Sequence, residues 1–352
     1  MDPLASPDRP VAGRDYPADR QQFLAFFPDE AACLRYLERL SWPHGFLCPS
    51  CGAARDPWRG SRQRLVCRAC GHQTTVTAGT LFQGTRTPLR QWFAAAWLVA
   101  TAEQGVSARQ LARALDLGSY ETAWTMLHRF RRAMVRSGRP RLEGRVEIGT
   151  VEVPGRPGPT HGPATASAAV ALEDRGATPG RVRMQRLAAP ADLPAFVGRV
   201  VEPGTLVRAT RLQAWWPLGE AGFMTERAPR LTHLPALERD LAGWLRGTHQ
   251  GAISPAQLDW YLDEFTFRFN RRASTHRGLL FYRLLEEAVV TPPLPYHRVV
   301  GARAAEPGGG PAGHAGDSRG GQPGGGRGGT AGGPGDRPDG EPDQGRPVLP
   351  GR

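Results

Sequence analysis

The sequence of 352 residues contains no lysine, and all 45 of its basic side chains are arginine. With 44 glycines and 33 prolines beside them, this is the composition that GC-rich codon usage yields. The formal charge of +12 is therefore, by itself, weak evidence for a nucleic-acid partner. Long apolar runs are also missing. The longest, Trp92 to Ala102, has 11 residues, about half of the ~20 that a membrane-crossing helix needs. The first residues carry Asp2, Asp8 and Asp15 where a secretory leader would place a basic patch and an apolar stretch. These absences argue against a membrane partner and against export, and the expected location is cytoplasmic.

What is present is unevenly distributed. Residues 44–139 hold +10 of the net charge, against +4 for 140–300 and −2 for 1–43. A basic module of this kind is the electrostatic footprint of a phosphate-backbone binder, which would be nucleoid-associated when bound; the alternative is a solvated basic surface. Length and pattern point to a multidomain α+β chain. Residues 1–20 read as a disordered lead. Residues 21–43 read as an N-terminal helix, with Ala32, Leu34, Leu37 and Leu40 at helical spacing behind Pro28, Asp29 and Glu30. Residues 44–76 are turn-rich and hold four cysteines, and 77–139 are dominated by helical periodicity. In 140–300, strands are expected near 145–153, 166–173, 181–188 and 205–209, and helices at 191–201, 234–246 and 255–272. The tail 301–352 has 19 glycines and 8 prolines, too little apolar surface to offset its ordering entropy, and is expected to be disordered.

Four of the five cysteines read Cys48-Pro-Ser-Cys51, fifteen residues, Cys67-Arg-Ala-Cys70. Each C-x2-C turn can aim two thiolates at one point, and two such turns complete a tetrahedral S4 zinc site with bonds of roughly 2.3 Å. Four protein ligands leave no open position, so the zinc would be structural. Disulfides suit a chain without an export signal poorly, and a redox pair would need one such turn. Gly52 and Gly71 suit the knuckle turns. The remaining Cys33 reads as a small buried apolar residue.

Ser107 and Gln110 have the spacing of a capping box at the start of a helix carrying Leu111 and Leu115. A turn around Gly118 leads to a helix capped by Ser119 and running to about Met134. In that helix Ala123, Leu127, Phe130 and Met134 form one packed stripe, and His128, Arg129, Arg131 and Arg132 lie away from it. With a preceding helix from Leu89 to Gln104, this is a three-helix unit of helix-turn-helix proportions. Its second helix would enter the major groove of double-stranded DNA, with Arg109, Ser119, Thr125, His128, Arg129, Arg131 and Arg132 as contacts. A small helical bundle with a basic surface is the other reading.

At this point the residues carry a family resemblance. Phe27-Pro-Asp-Glu30, Trp42-Pro-His-Gly-Phe-Leu-Cys-Pro-Ser-Cys-Gly52, Cys67 to Phe82, and Tyr120-Glu-Thr-Ala-Trp-Thr-Met-Leu-His128 resemble the N-terminal half of bacterial insertion-sequence transposases of the zinc-ribbon, ISXO-like group. Gly247 to Gly251, Tyr261 to Arg272 and His276 to Arg283 resemble the end of their catalytic domain. The resemblance implies an RNase H-like DDE domain in 140–300 that cuts and joins strands at transposon ends, with homo-oligomerisation as a further expectation. Such chemistry uses acidic side chains holding a pair of divalent ions about 3.5–4 Å apart.

The sequence departs from that pattern where the chemistry should be. The first family aspartate falls at Gly149 and the second at Thr210. A later acid, histidine or asparagine position falls near Pro235, and its accompanying lysine near Ala242. Glu147, two residues from Gly149, keeps the same strand face but stands about 6.6 Å away. Glu264 lies on a helix whose Leu258, Leu262, Phe265 and Phe269 form the core stripe, so it reads as helix surface more than as a ligand. His233, Glu238 and Asp240 are further neighbours. The DNA-reading helix departs too, with Glu121 and Thr125 where family members often carry basic residues. The leading expectation is a DNA-binding transposase homologue whose DDE site is lost, with Mg2+ relevant only if catalysis is retained. The alternatives are a sequence-specific regulator derived from a transposase, an active enzyme using relocated carboxylates, and a decayed remnant in which 154–180 no longer folds.

Overall fold

The computed structural model describes residues 10–135, 138–154, 165–210, 218–219, 221–249, 253, 257–274 and 276–293. The expected tail 301–352 and the first nine residues lie outside this set. The N-terminal helix is two helices, α1 (Arg20–Phe26) and α2 (Glu30–Ser41). They are divided because Asp29 has extended backbone, and its carboxylate accepts the Ala32 N–H at 2.7 Å to start the second. Residues 10–19 correct the expectation of a disordered lead. The Tyr16 ring is buried against Tyr282, and the Tyr36 hydroxyl donates to the Asp15 carbonyl at 2.7 Å.

Three two-residue strands, β1 (Trp58–Arg59), β2 (Leu65–Val66) and β3 (Gln73–Thr74), make an antiparallel sheet in that order. Its small core is Phe46, Cys48, Leu65 and Cys67, flanked by Trp42. Helices α3 (Leu89–Thr101), α4 (Ala108–Ala114) and α5 (Tyr120–Ala133) follow. Pro88 has no side-chain acceptor to cap α3. Glu30 of α2 supplies one instead, taking the Leu89 and Arg90 N–H groups at 2.7 and 3.1 Å.

The largest core joins α1, α2, α3 and α5 with a late helix, α9 (Arg277–Val290). Phe23, Phe27, Tyr36, Phe93, Trp97 and Phe281 interlock there, with ring centroids 4.7 to 6.3 Å apart in their contacting pairs. The division of the chain at residue 139/140 is thus crossed by its last helix, which packs with the N-terminal helices. The reason lies at Gly278, where any Cβ would run into the Pro17 carbonyl. Only glycine admits residues 10–19 this close to α9.

The second half builds a five-stranded sheet from β4 (Arg145–Pro154), β5 (Thr165–Asp174), β6 (Pro179–Arg186), β7 (Leu206–Ala209) and β8 (Met224–Arg227), in the order β6-β5-β4-β7-β8. β5 runs antiparallel to both β4 and β6, whereas β7 runs parallel to β4 and β8 parallel to β7. β5 is buried on both faces from Ala168 to Leu172. This is why its sequence is continuously apolar and not alternating. One face of the sheet packs on α6 (Leu193–Val200), the other on α7 (Leu234–His249) and α8 (Leu258–Phe269). The strand β5 corrects the reading of 154–180 as a segment that no longer folds; residues 155–164 lie outside the described set. β8 went unexpected, because all four of its residues are exposed and carry no apolar alternation.

Candidate functional site

The four ribbon cysteines converge. Their Sγ atoms all lie within 4.8 Å of one another, with Cys48–Cys70 and Cys51–Cys67 both 3.7 Å apart. A tetrahedron with zinc–sulfur bonds of about 2.3 Å has an edge of about 3.8 Å, so the thiols already stand at metal spacing. Each knuckle is closed by a glycine of positive φ, Gly52 at 70° and Gly71 at 72°, whose N–H bonds back to the carbonyl of Cys48 or Cys67 at 2.9 and 3.0 Å. Without an ion the clustered thiols divide: the N–H groups of Cys51 and then Ser50 draw Cys48 down to about 6, whereas Cys51, despite the Ala53 N–H, is pushed up to about 12 by its neighbours Cys70, Cys48 and Cys67. These residues hold a structural Zn2+. Cys33 stands apart in α2, fully buried, with burial pushing its thiol up to about 12.

In the three-helix unit, the capping box forms as its spacing implies. The Gln110 N–H donates to Ser107 Oγ at 3.3 Å, and the Ser107 N–H donates to Gln110 Oε1 at 2.9 Å. The turn falls at residues 115–119, around Gly118 as expected. Asp116, not Gly118, takes the left-handed conformation at φ 47°, and the Leu117 N–H returns to the Ala112 carbonyl at 3.0 Å. This is the longer bond of a Schellman ending. Ser119 caps α5 by accepting the Thr122 N–H at 3.1 Å.

Two of the expected DNA contacts are corrected. His128 and Arg131 do not lie on an outer basic face; they are 0% and 2% exposed, because α8 covers that side of α5. The Arg131 Nε donates to Glu264 Oε2 at 2.8 Å, and the guanidinium stands 4.1 Å from the Tyr261 ring centroid. His128 is packed among Trp124, Trp260 and Tyr261. Arg129 and Arg132 are half-buried and donate to the carbonyls of Leu81 and Pro292. The exposed part of the unit is its N-terminal edge, formed by Arg109, Tyr120 and Glu121, with Ser119 and Thr125 half-buried beside them. Arg113, exposed on α4, joins them. Its place one turn along from Arg109 could have been read from helical spacing.

On the sheet, β4 and β7 pair in parallel as Arg145↔Leu206, Val146↔Val207 and Glu147↔Arg208, and the same register carried two residues further would bring Gly149 alongside Thr210, just past the end of β7. Gly149 lies under α7, and a Cβ there would stand 2.9 Å from Leu234 Cδ2. Thr210 is exposed at the end of β7, Pro235 exposed in the first turn of α7 and Ala242 half-buried further along it. Glu147 is fully buried, and its carboxylate accepts the N–H groups of Thr232, His233 and Leu234 at 2.5, 3.0 and 2.9 Å. It caps α7 and is not poised as a free ligand. Glu264 corrects the expectation of a helix-surface residue: it is 1% exposed and also accepts from Arg268 Nε and Nη2 at 3.0 and 2.9 Å. Arg268 in turn donates to the carbonyls of Val99 and Ala102 at the end of α3. Glu238 and Asp240 point to solvent. Among the described residues, the ribbon cysteines are the one group of three or more His, Cys, Asp or Glu close enough to share an ion.

A second charged cluster was not foreseen. Arg208 stands 3.2 Å from Asp174, 3.2 Å from Glu226 and 4.0 Å from Glu147, and His233 Nε2 is 3.3 Å from Asp174. Burial works to raise the Asp174 carboxyl, but the Gly176 N–H and the charges of Arg145, His233 and Arg208 outweigh it and hold the group below its ordinary range. Glu173 is held low in the same way, by Arg181 against burial. The pairing of these groups depends on strand register, which composition and spacing do not reveal.

Comparison with known proteins agrees with the ribbon geometry. Residues 28–73 match the transposase zinc-ribbon domain family. A protein described as an uncharacterized protein in transposable element ISH50 of Halobacterium salinarum is 35% identical over 125 residues, covering 35% of this chain and 41% of that protein. The chain thus spans about two-fifths of the length of the curated relative it matches. No solved structure matches the chain. No helix among the described residues is long and apolar enough to cross a membrane. Both similarities support the resemblance to insertion-sequence transposases, and the chain carries a transposase-type zinc ribbon.

Proposed function

We propose that this protein is a transposase homologue of the ISXO-like group that binds the terminal DNA of its element and has lost DDE strand transfer. One observation carries the loss. Carrying the β4–β7 register two residues beyond its last pair, Glu147↔Arg208, would bring together the two positions taken from family motifs, Gly149 in β4 and Thr210 just past β7, where carboxylates could share a metal pair. Gly149 occupies the first, roofed by Leu234, and Thr210 the second. An aspartate Cβ at 149 would stand 2.9 Å from Leu234 Cδ2, so the leucine side chain would have to turn aside to admit it. Relocated carboxylates are disfavoured by their existing partners. Glu147 is used by three backbone N–H groups, and Glu264 by two guanidinium groups. The five-stranded mixed sheet with helices on both faces is compatible with an RNase H-like scaffold.

DNA contact is the retained activity in this reading, supported by the ribbon, by +10 of charge in residues 44–139 and by a three-helix unit whose N-terminal edge stays exposed. The bound form is double-stranded DNA read from that edge, with Arg109 and Arg113 on phosphates. Titration of labelled duplexes at fixed salt tests it. The element's own terminal sequence should bind at least about tenfold more tightly than random duplex, and Arg109→Ala should weaken both similarly. Equal affinity for terminal and random sequence would refute the proposal.

A further inference from the structure

The zinc ribbon carries an aromatic residue that its own core does not use. Trp42 packs on Phe46 at 4.9 Å between ring centroids, but Trp58 is 58% exposed on the edge strand β1. Its neighbour Arg59 forms a two-pronged pair with Glu38 of α2, at 2.7 and 3.0 Å, and so pins the strand to the helix. Side chains alternate along a strand, so Arg59, turned toward α2, leaves Trp58 on the opposite face. Trp58 pairs with Val66 across the hairpin, and the Arg68 guanidinium stands 5.8 Å from the indole centroid. Arg64, two residues before Val66, shares that face by strand alternation. Arg55, Arg62, Arg64 and Arg68 of the ribbon are all exposed, and Asp56 is the one acidic side chain of residues 44–76.

The geometry points to Trp58 as a stacking platform for an unpaired DNA base, with Arg68 bracing the indole and Arg64 and Arg62 taking the adjoining phosphates. This deepens the DNA-binding reading above and rests on it. An indole on a hairpin edge cannot slide between the paired bases of an intact duplex without opening them. An unpaired base offers a free π-face at no such cost. Five arginines against one aspartate in residues 44–76 give the ribbon a net positive charge that suits a polyanionic backbone.

The experiment compares a fully paired duplex of the terminal sequence with the same duplex bearing a single-stranded extension of about ten nucleotides, by fluorescence anisotropy at fixed salt. The intact protein should bind the extended DNA more tightly. Trp58→Ala should lose at least about fivefold on the extended DNA and less than twofold on the blunt duplex. Trp58→Phe should keep most of the preference, and zinc content should be unchanged in both variants. No preference for the extension, or an equal loss on both DNAs, would overturn the proposal. So would a Trp58→Ala variant with normal DNA binding but a smaller assembly mass, which would assign the indole to a protein interface. Loss of terminal-sequence preference on the blunt duplex alone would count against the reading of the three-helix unit and leave the stacking site standing.

Discussion

Glu264 illustrates how burial inverts the meaning of a charged residue. Its helix stripe of Leu258, Leu262 and Phe265 was legible from spacing and is buried. That α8 would bury a second face against α5 was not, since periodicity reports one face and contact with a distant helix is set by the whole fold. The same blindness hid His128 and Arg131, which a helical wheel places off the stripe of Ala123, Leu127 and Phe130, on the side that α8 covers. The energetic order of substitutions follows from the partners. Arg131→Met removes one cation and leaves Glu264 paired with Arg268, whereas Glu264→Leu takes the carboxylate from two guanidinium groups, the fully buried Arg131 and Arg268, which keeps the Val99 and Ala102 carbonyls. Glu264→Leu should therefore destabilise by about 3–5 kcal/mol and Arg131→Met by clearly less, measured as urea midpoints. The reverse order would mean that Arg268 does not support Glu264.

Glu173 and Asp174 give a pH dependence with a definite sign. Both carboxyls are held below their ordinary values in the folded chain. Their contribution is fully present above the unfolded carboxylate range near 4 and is lost as pH falls through the lower folded values. Thermal melting should thus fall steeply below about pH 4. Glu173→Gln should melt lower than the parent at neutral pH and show a shallower acid decline; a parallel decline would remove Glu173 from the account.

At the scale of elements, local chemistry was readable wherever it was self-contained. The Asp29, Ser107 and Ser119 caps, the helices α2, α4 and α5, and the apolar strands β4, β5 and β6 are set by residues within a few positions of one another. Features set by remote residues were not readable: the cap that Glu30 gives α3, the cap that Glu147 gives α7, and the placement of α9. The knuckle glycines were legible because the C-x2-C turn demands them. The role of Gly278 was not, because its constraint is the carbonyl of Pro17, far away in sequence. Gly278→Ala should force residues 10–19 off α9 and cost about 1–3 kcal/mol, with faster proteolysis before α1. Unchanged stability and protease resistance would contradict that packing.

At the scale of the whole molecule, charge, metal and chemistry separate. The basic residues concentrate in 44–139, where the ribbon and three-helix unit lie, and the sheet half holds carboxylates already occupied by arginines and helix ends. The ribbon core of Phe46 and Leu65 is small, so its order depends on the ion. Purified protein should carry one zinc per chain, and chelation should abolish the ribbon's hydrogen-exchange protection while the β4–β7 sheet keeps its own. Cys67→Ser should reproduce that effect without chelator. In the proposed reading the family motifs give the positions of the missing acids, whereas only the fold reveals that the Leu234 side chain lies over Gly149.

The claim that the chain holds DNA without cutting it is tested most directly by a strand-cleavage assay. End-labelled duplex carrying the element's terminal sequence is incubated with saturating protein in Mg2+ and in Mn2+, and the strands are resolved on a denaturing gel. The account predicts intact strands with both ions under conditions where the duplex is fully bound. Specific nicking at the element boundary, abolished by Glu147→Ala or Glu264→Ala, would contradict it.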